Sequence, residues 1–194
     1  MKATTSLVIA VTVCIGLGLG PMPLHAGPTK VVISDKGLPV IPYGAPVRLR
    51  IPRIGVATKL ESTSIDSKGI LESPKDPKKA GWYRNGPMPG QPGNAIIVGH
   101  VDWYDGPAVF YRLSRLRKGD IVEVVNDYKI TLRFRVTEVR SYANGSAPLN
   151  KIAGRTKHTH LNLVTCGGSY NRSAKNYSHR IVAYTELIQR IKLK

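Results

Sequence analysis

The sequence predicts an all-β fold whose strands form a closed barrel or a sandwich. Glycine (19 residues) and proline (14 residues) are abundant, and both disfavour helices. Short apolar runs with strand patterning alternate with turn signals, and helical periodicity is rare along the chain. A chain of 194 residues has room for one domain and a tail, because domains typically contain about 100–150 residues.

The N-terminal segment has the features of an export signal. Lys2 precedes the apolar run Leu7–Leu19, which is shorter than the roughly 20 residues that cross a bilayer comfortably. We therefore interpret residues 1–26 as a signal peptide or an N-terminal membrane anchor. Residues 27–46 are rich in proline and glycine and are predicted to be a linker, which leaves residues 47–194 as the folded domain. This domain is expected to lie outside the cytoplasm.

The first predicted strand begins at the start of this domain. Val47, Leu49 and Ile51 alternate with Arg48 and Arg50, which is the pattern of a half-buried strand. The sequence predicts that the three apolar side chains face the core and that the two arginines face solvent.

A long proline- and glycine-rich stretch separates this strand from the next apolar run. Residues 73–94 are predicted to be a loop, and loops of this length are usually functional or disordered. Ala95–Val98 is a short apolar strand that ends at Gly99 and His100. Further along, apolar residues recur every three positions and predict a short helical turn: Phe110, Leu113 and Leu116.

The clearest strands form a predicted hairpin. Ile121–Val125 and Tyr128–Val139 flank a tight connection at Asn126 and Asp127. Alternation places four apolar side chains of the second strand on one face: Ile130, Leu132, Phe134 and Val136. Leu161–Thr165 and Arg180–Leu187 are the last two predicted strands.

The charge balance favours anionic surroundings. The chain has 29 Lys and Arg against 12 Asp and Glu, which gives a net charge of +17. Nucleic-acid-binding fingerprints, such as an aromatic-rich strand motif, zinc-ligand spacing or a basic helix, are absent from the sequence. For an exported domain, the simpler partner is an anionic cell envelope, and no nucleic acid is predicted.

Cysteine usage identifies a candidate nucleophile. The chain has two cysteines, and because Cys14 lies in the export segment, Cys166 has no partner in the domain. A single cysteine in an exported domain suggests a reactive thiol or an intermolecular disulfide bridge, and the alternative is an inert buried residue. Cys166 and His100 each follow an apolar strand, and Arg180 begins another. A thiol needs a nearby imidazole to be an effective nucleophile, and an arginine is able to stabilise an oxyanion.

Longer stretches around these residues resemble the sortases. The stretches are GWYRNGPMPGQPGNAIIVGHVDWYDGPAVFYRLSRLRKGDIVEV, LNLVTCGG and SHRIVAYTEL, and the resemblance extends from about Val47 to Leu187. The TLxTC motif of that family corresponds to residues 162–166, its strand-terminal histidine to His100, and its late-strand arginine best to Arg180. The two glycines after Cys166 resemble those of the class F group.

The resemblance implies a closed eight-stranded β-barrel that acts as a cysteine transpeptidase at the cell surface. Such enzymes cleave an LPXTG-type sorting signal between threonine and glycine and pass the acyl group to an amine, usually on a cell-wall precursor. It implies His100, Cys166 and Arg180 as catalytic residues, and no cofactor. Thr165 and Gly167 are the expected substrate-binding residues, because glycine lets a peptide approach the backbone near the thiol closely.

Two departures from the family pattern affect these expectations. Asn162 occupies a position where threonine is usual, which is expected to alter local hydrogen bonding without abolishing activity. The arginine assignment depends on strand register, because a slip of one residue would bring His179 beside the thiol instead. Arg172, in the intervening loop, is a third and weaker candidate for the arginine.

Other functions compatible with the sequence are a hydrolase on the same scaffold and a secreted basic protein that binds an anionic polymer without using the thiol. His158 and His160 share a strand face, but no third ligand lies close by in the sequence, so no metal site is predicted. Asp102 and Asp105 follow His100 and are expected to shape a turn.

Overall fold

The computed structural model describes residues 43–67 and 69–192. Within this part, eight strands close into one barrel in the order β1-β2-β3-β4-β9-β10-β8-β7, and β5 pairs with β6 in a separate hairpin. This confirms the all-β class and the closed eight-stranded barrel, and it excludes the sandwich. The strands are β1 Pro46–Ile51, β2 Val56–Thr63, β3 Ala80–Tyr83, β4 Gly93–Val98, β5 Asp102–Trp103, β6 Gly106–Pro107, β7 Ile121–Asn126, β8 Ile130–Ala143, β9 Thr159–Asn171 and β10 Asn176–Lys192.

The predicted hairpin is formed by β7 and β8. Their side chains alternate between buried and partly exposed, and the buried ones include all four apolar residues predicted for β8. The Asn126 side chain closes the turn by accepting a hydrogen bond from the backbone N–H of Ile130 at 2.9 Å. The predicted helical turn is also present, as a 3-10 turn at Leu113–Arg115, and its three apolar residues are buried in the barrel core.

Val47 does not face the core as its alternation with Arg48 predicted. Leu49 and Ile51 are buried, but Val47 is exposed. The register between β1 and β7 shifts between Pro46 and Arg48, and such a bulge turns side chains away from their alternating positions.

The proline- and glycine-rich stretch 73–94 is not a continuous loop. It contains β3, which pairs in parallel with β2 and antiparallel with β4. β3 has only four residues, two of them Ala80 and Gly81, so it gives little strand signal. Gly81 is required there because a Cβ would lie 2.4 Å from the Thr63 side chain.

Three neighbouring strands, β4, β9 and β10, are covered on both faces. One face contributes to the barrel core, and the other packs with Ile152 of the short helix α1 (Leu149–Ala153). Parallel pairing of β4 with β9 is consistent with this double burial and with their continuous apolar runs. The outer cluster contains Ile96, Val98, Ile152, Val182 and Tyr184.

Two buried asparagines fasten α1 to these strands. The Asn162 side-chain amide donates to the Ile152 carbonyl at 2.7 Å and to the Asn94 side-chain oxygen at 3.2 Å. The Asn94 amide in turn donates to the Gly154 carbonyl at 2.7 Å. Carbonyls at the end of a helix have no partner inside the helix, so these two side chains satisfy them.

The predicted export segment and most of the predicted linker lie outside the described residues. Within residues 43–67 and 69–192, no helix combines the length and the apolar character that a membrane crossing requires.

We expect Asn162→Ala to destabilise the domain by about 1–3 kcal/mol, because the substitution leaves the Ile152 carbonyl buried without its donor. Urea unfolding measures this change. Asn150→Ala is the matched control, because Asn150 is an exposed residue of the same helix and should unfold like the parent. Equal stabilities for the two variants would contradict the fastening role of Asn162.

Candidate active site

Strand register brings three chemically capable residues to the same level. β4 and β9 run in parallel, with Val98 beside Val164, so continuing this register by two residues places His100 level with Cys166. On the other side of β9, Arg180 of β10 lies directly opposite Cys166. Cys166 therefore lies opposite Arg180 on one side and level with His100 on the other.

These residues share the outer face of the barrel. Val98, Val164 and Val182 pack in the outer apolar cluster. Alternation puts the residues two positions away on the same face: His100 and Cys166 follow Val98 and Val164, and Arg180 precedes Val182. The candidate site therefore begins where the cluster that packs against α1 ends. Cys166 is half-buried and is not part of a disulfide.

The structure brings Arg180 beside the thiol, rather than His179 or Arg172. His179 is opposite Gly167, and its Nδ1 lies 2.8 Å from the Ser178 hydroxyl. Arg172 is exposed in the connection between β9 and β10. The structure therefore does not show the one-residue slip that would bring His179 beside the thiol, and Arg180 is the residue opposite Cys166.

Arg180 is held by acceptors of its own strand. Its Nη1 donates to the carbonyls of Tyr177 at 3.2 Å and His179 at 3.0 Å, and its Nη2 donates to the Asn176 side chain at 2.9 Å. A register irregularity lies between Tyr177 and His179. The guanidinium therefore holds together the irregular part of β10 that borders the site.

His100 is fixed from three directions. Its Nε2 lies 2.9 Å from the Pro74 carbonyl, and since a carbonyl only accepts, Nε2 carries the hydrogen. Nδ1 is then the ring nitrogen that does not take part in this bond. The Trp103 ring packs edge-on at 4.9 Å between centroids, and the His100 carbonyl accepts from the Phe110 N–H at 2.9 Å.

The two predicted substrate-binding residues, Thr165 and Gly167, are buried and do not line the surface beside the thiol. Thr165 is buried on the opposite face from Cys166, and its hydroxyl donates to the Gly99 carbonyl at 2.7 Å. Gly167 is also buried, and a Cβ there would lie 2.7 Å from Ile181. The Thr165 side chain points away from the thiol, and Gly167 has no side chain. Any contact of these residues with a peptide beside the thiol must therefore come from their backbone. Substrate binding by Thr165 and Gly167 stays a prediction.

A groove of about 410 Å³ opens over the thiol and the imidazole. Its wall is rich in aromatic side chains, and Asp102 supplies the carboxylate. The Tyr177 hydroxyl donates to Asp102 at 2.5 Å, so the hairpin of β5 and β6 is joined to β10 across the groove. The lining residues are His100, Asp102, Trp103, Tyr104, Cys166, Tyr170, Lys175, Asn176 and Tyr177.

Tyr177 was not identified from the sequence. Regular alternation would put Ser178, and not Tyr177, on the same face as Arg180. The irregularity at Ser178 shifts the register, so that Tyr177 pairs with Tyr170 on the groove side, with ring centroids 5.0 Å apart. Asp102 was assigned only to a turn, because its bond to a tyrosine 75 residues away has no local sequence signal.

The surroundings of the Cys166 thiol shift its pKa in opposite directions. Burial raises the pKa of Cys166 above its usual value, the positive charge of Arg180 lowers it, and the negative charge of Asp102 raises it. The net shift is upward, so the thiol is protonated at neutral pH. Burial, followed by the bond to Asp102, also raises the pKa of the Tyr177 hydroxyl.

His158 and His160 lie close to each other. Their ring centroids are 6.0 Å apart, and the His160 Nδ1 lies 3.1 Å from the Thr185 carbonyl. No group of three metal-binding side chains occurs anywhere in the part of the chain that the structure describes.

Comparison with known families identifies one match. The family model described as the sortase domain matches residues 49–188. No curated protein matches the chain.

Several solved structures have the same fold. A sortase D5 transpeptidase of Clostridium perfringens is 21% identical, with 75% of this chain and 79% of that one covered and a TM-score of 0.55. Sortase A of Listeria monocytogenes is 20% identical, with 79% and 92% covered and a TM-score of 0.57. Sortase C2 of pilus island 1 of Group B Streptococcus is 18% identical, with 77% of each chain covered and a TM-score of 0.57.

We expect Asp102→Asn to lower the pKa of the Cys166 thiol, because a negative charge that opposes thiolate formation is removed. Arg180→Gln should raise this pKa, because a charge that favours the thiolate is lost. The pH dependence of alkylation of Cys166 by iodoacetamide measures both shifts. Asp105→Asn, in the same hairpin but outside the groove lining, should leave the profile unchanged. Shifts of the same sign in the first two variants would contradict this electrostatic description.

Proposed function

Because the chain belongs to the sortase family, whose members are cysteine transpeptidases, we propose that it cleaves an LPXTG-type sorting signal between threonine and glycine and transfers the acyl group to an amine. The observation that carries this proposal is that Arg180 of β10 lies opposite Cys166, while His100, two residues after the end of β4, lines the same groove as Cys166. The groove beside the thiol and imidazole provides the space for an extended peptide.

In the proposed reaction, the Cys166 sulfur attacks the threonine carbonyl carbon while His100 takes the thiol proton. Arg180 stabilises the oxyanion that forms on the carbonyl oxygen. His100 then gives the proton to the departing glycine amine, which leaves a thioester on Cys166. The acceptor amine attacks this thioester, and the sulfur leaves and regains a proton. The acceptor is an amine of a cell-wall precursor or of another surface molecule.

The resting protonation state fits a thiol that is activated only in the complex. The raised pKa keeps Cys166 protonated, and because Nε2 of His100 is bonded to the Pro74 carbonyl, Nδ1 is the ring nitrogen left to receive the thiol proton. Binding of a peptide over the groove would exclude water and bring the carbonyl within reach of both groups, so that proton transfer and attack occur together. In this arrangement Cys166 is not a thiolate before the peptide binds. This protects an exported enzyme, because a thiolate is readily oxidised and oxidation would inactivate the enzyme.

We also propose that the chain is a class F sortase that works outside the cytoplasm. The support for class F is the pair Gly167 and Gly168 after the cysteine. The structural neighbours described above are sortases of classes A, C and D, and at their identities they share the fold. The export segment proposed for residues 1–26, the linker 27–46 and the net charge of +17 support a domain that is secreted or anchored next to an anionic envelope.

Cys166→Ala should remove all turnover of an LPXTG-type peptide and leave the fold intact. Cys166 is half-buried on the outer face of the barrel, so its side chain contributes little to the core. Peptide cleavage followed by chromatography measures activity, and urea unfolding verifies the fold. Measurable cleavage by a well-folded variant would exclude the thiol as the acyl carrier.

His100→Ala should reduce kcat/KM by about 10²–10⁴-fold, since this is the usual contribution of general acid–base catalysis. His158→Ala is the matched control, because His158 is exposed and lies outside the groove lining. A loss below about threefold for His100→Ala would assign the proton transfer to another group.

Arg180→Ala should reduce kcat/KM by about 10²–10³-fold, the usual effect of losing one oxyanion donor. Arg180→Lys should recover only part of this loss, because lysine keeps the charge but lacks the planar fork of donors. Arg172→Ala and His179→Ala, measured on the same peptide, should be nearly silent. A larger loss for Arg172→Ala than for Arg180→Ala would overturn the arginine assignment.

A further inference from the structure

Among the described residues, no cationic side chain pairs with Asp102. Six of the eleven described carboxylates form an ion pair: Glu61, Asp76, Asp120, Glu123, Glu138 and Glu186. The Asp102 carboxylate instead accepts a hydrogen bond from the neutral hydroxyl of Tyr177. This half-exposed carboxylate therefore keeps its negative charge available to a cationic ligand in the groove.

The setting of Asp102 suits such a ligand. It lines the same groove as Cys166, together with Trp103, Tyr170 and Tyr177. Faces of aromatic rings attract cations, and this attraction adds to that of a carboxylate. Tyr177 is oriented by its hydrogen bond to Asp102 and packs with Tyr170, so these three side chains form one connected wall.

Asp102 and Cys166 line the same groove. The charge of Asp102 is also one of the influences that raise the pKa of the Cys166 thiol. A cation bound to this carboxylate would therefore share the groove with a thioester on Cys166. Lys175 lines the groove as well, but its ammonium forms no ion pair with Asp102 among the described residues.

We propose that Asp102, with the aromatic wall around it, binds the protonated primary amine that accepts the acyl group. This inference rests on the proposed function and assigns the acceptor subsite to residues of this chain. Asp102 is a binding residue for the second substrate, and His100 and Arg180 keep their roles toward the first.

The transfer step balances with no further reactant. The docked ammonium releases one proton to water and becomes a neutral amine, whose nitrogen lone pair forms a C–N bond to the thioester carbon. The C–S bond breaks, the electron pair goes to the Cys166 sulfur, and the second amine proton reaches that sulfur through His100. The products are an amide and a free thiol, so the enzyme is ready for another cycle.

The test compares a charged with an uncharged nucleophile. Cys166 of the full chain is acylated with a benzyl thioester, which exchanges with the thiol and makes the assay independent of the sorting signal. Deacylation is then followed by intact-protein mass spectrometry at increasing concentrations of propylamine, which is protonated near neutral pH, or hydroxylamine, which is not.

For Asp102→Asn, the propylamine concentration at half-maximal aminolysis should rise about ten- to hundredfold, the range for loss of a charged hydrogen bond. The value for hydroxylamine should stay within about twofold of the parent, so the two nucleophiles separate charge recognition from a general disturbance of the site. Asp102→Glu, which keeps the charge, should recover part of the propylamine effect. Asp105→Asn is the matched control and should behave like the parent.

Equal changes for both nucleophiles, or no change for either, would overturn the assignment of Asp102. Failure of the parent to cleave LPXTG-type peptides while Asp102→Asn loses propylamine selectivity would instead contradict the proposed donor and leave the acceptor subsite supported. The proposed acceptor subsite and the proposed peptide donor are therefore contradicted by different results.

Discussion

The register of β9 with its two neighbours is the constraint on which the rest of the site depends. A shift by one residue would turn Cys166 toward the barrel interior and bring Thr165 to the surface. Burial of both faces of β9 opposes such a shift, because Leu161 and Leu163 fill the barrel while Val164 packs in the outer cluster. The hydrogen bond from Thr165 to Gly99 fixes the same register at the end of β4, just before His100.

The same constraint gives several residues near the site a structural role. Thr165 faces inward and links two strands, and Asn162 satisfies the end of α1. Gly167 makes room for Ile181, and Gly168 has a positive φ of 75° next to His179. The two glycines thus allow β10 to approach closely, and this approach brings Arg180 beside the thiol. The placement of Arg180 beside Cys166 therefore depends on close packing of β9 and β10.

Sequence patterns predicted the strands and their buried faces correctly where every second side chain is buried. They gave wrong or missing predictions where that alternation breaks. β7 and β8 follow it, and so they were predicted with the correct inward face. β2, the short β3 and the five-residue α1 were not predicted, because their burial comes from neighbours distant in sequence. Bulges reversed the prediction for Val47 and concealed Tyr177. His100, Cys166 and Arg180 were predicted as a site from residue type and family resemblance, and their relative placement depends on strand pairing that no local pattern encodes.

The central claim is that Cys166 carries the acyl group between two substrates. Intact-protein mass spectrometry of the domain with an LPXTG-type peptide, with and without an added amine, tests it most directly. The account predicts an adduct equal in mass to the acyl fragment, located by peptide mapping on Cys166, that is discharged as an amide when the amine is present. Cleavage of the peptide with no adduct, or with an adduct at another residue, would contradict it.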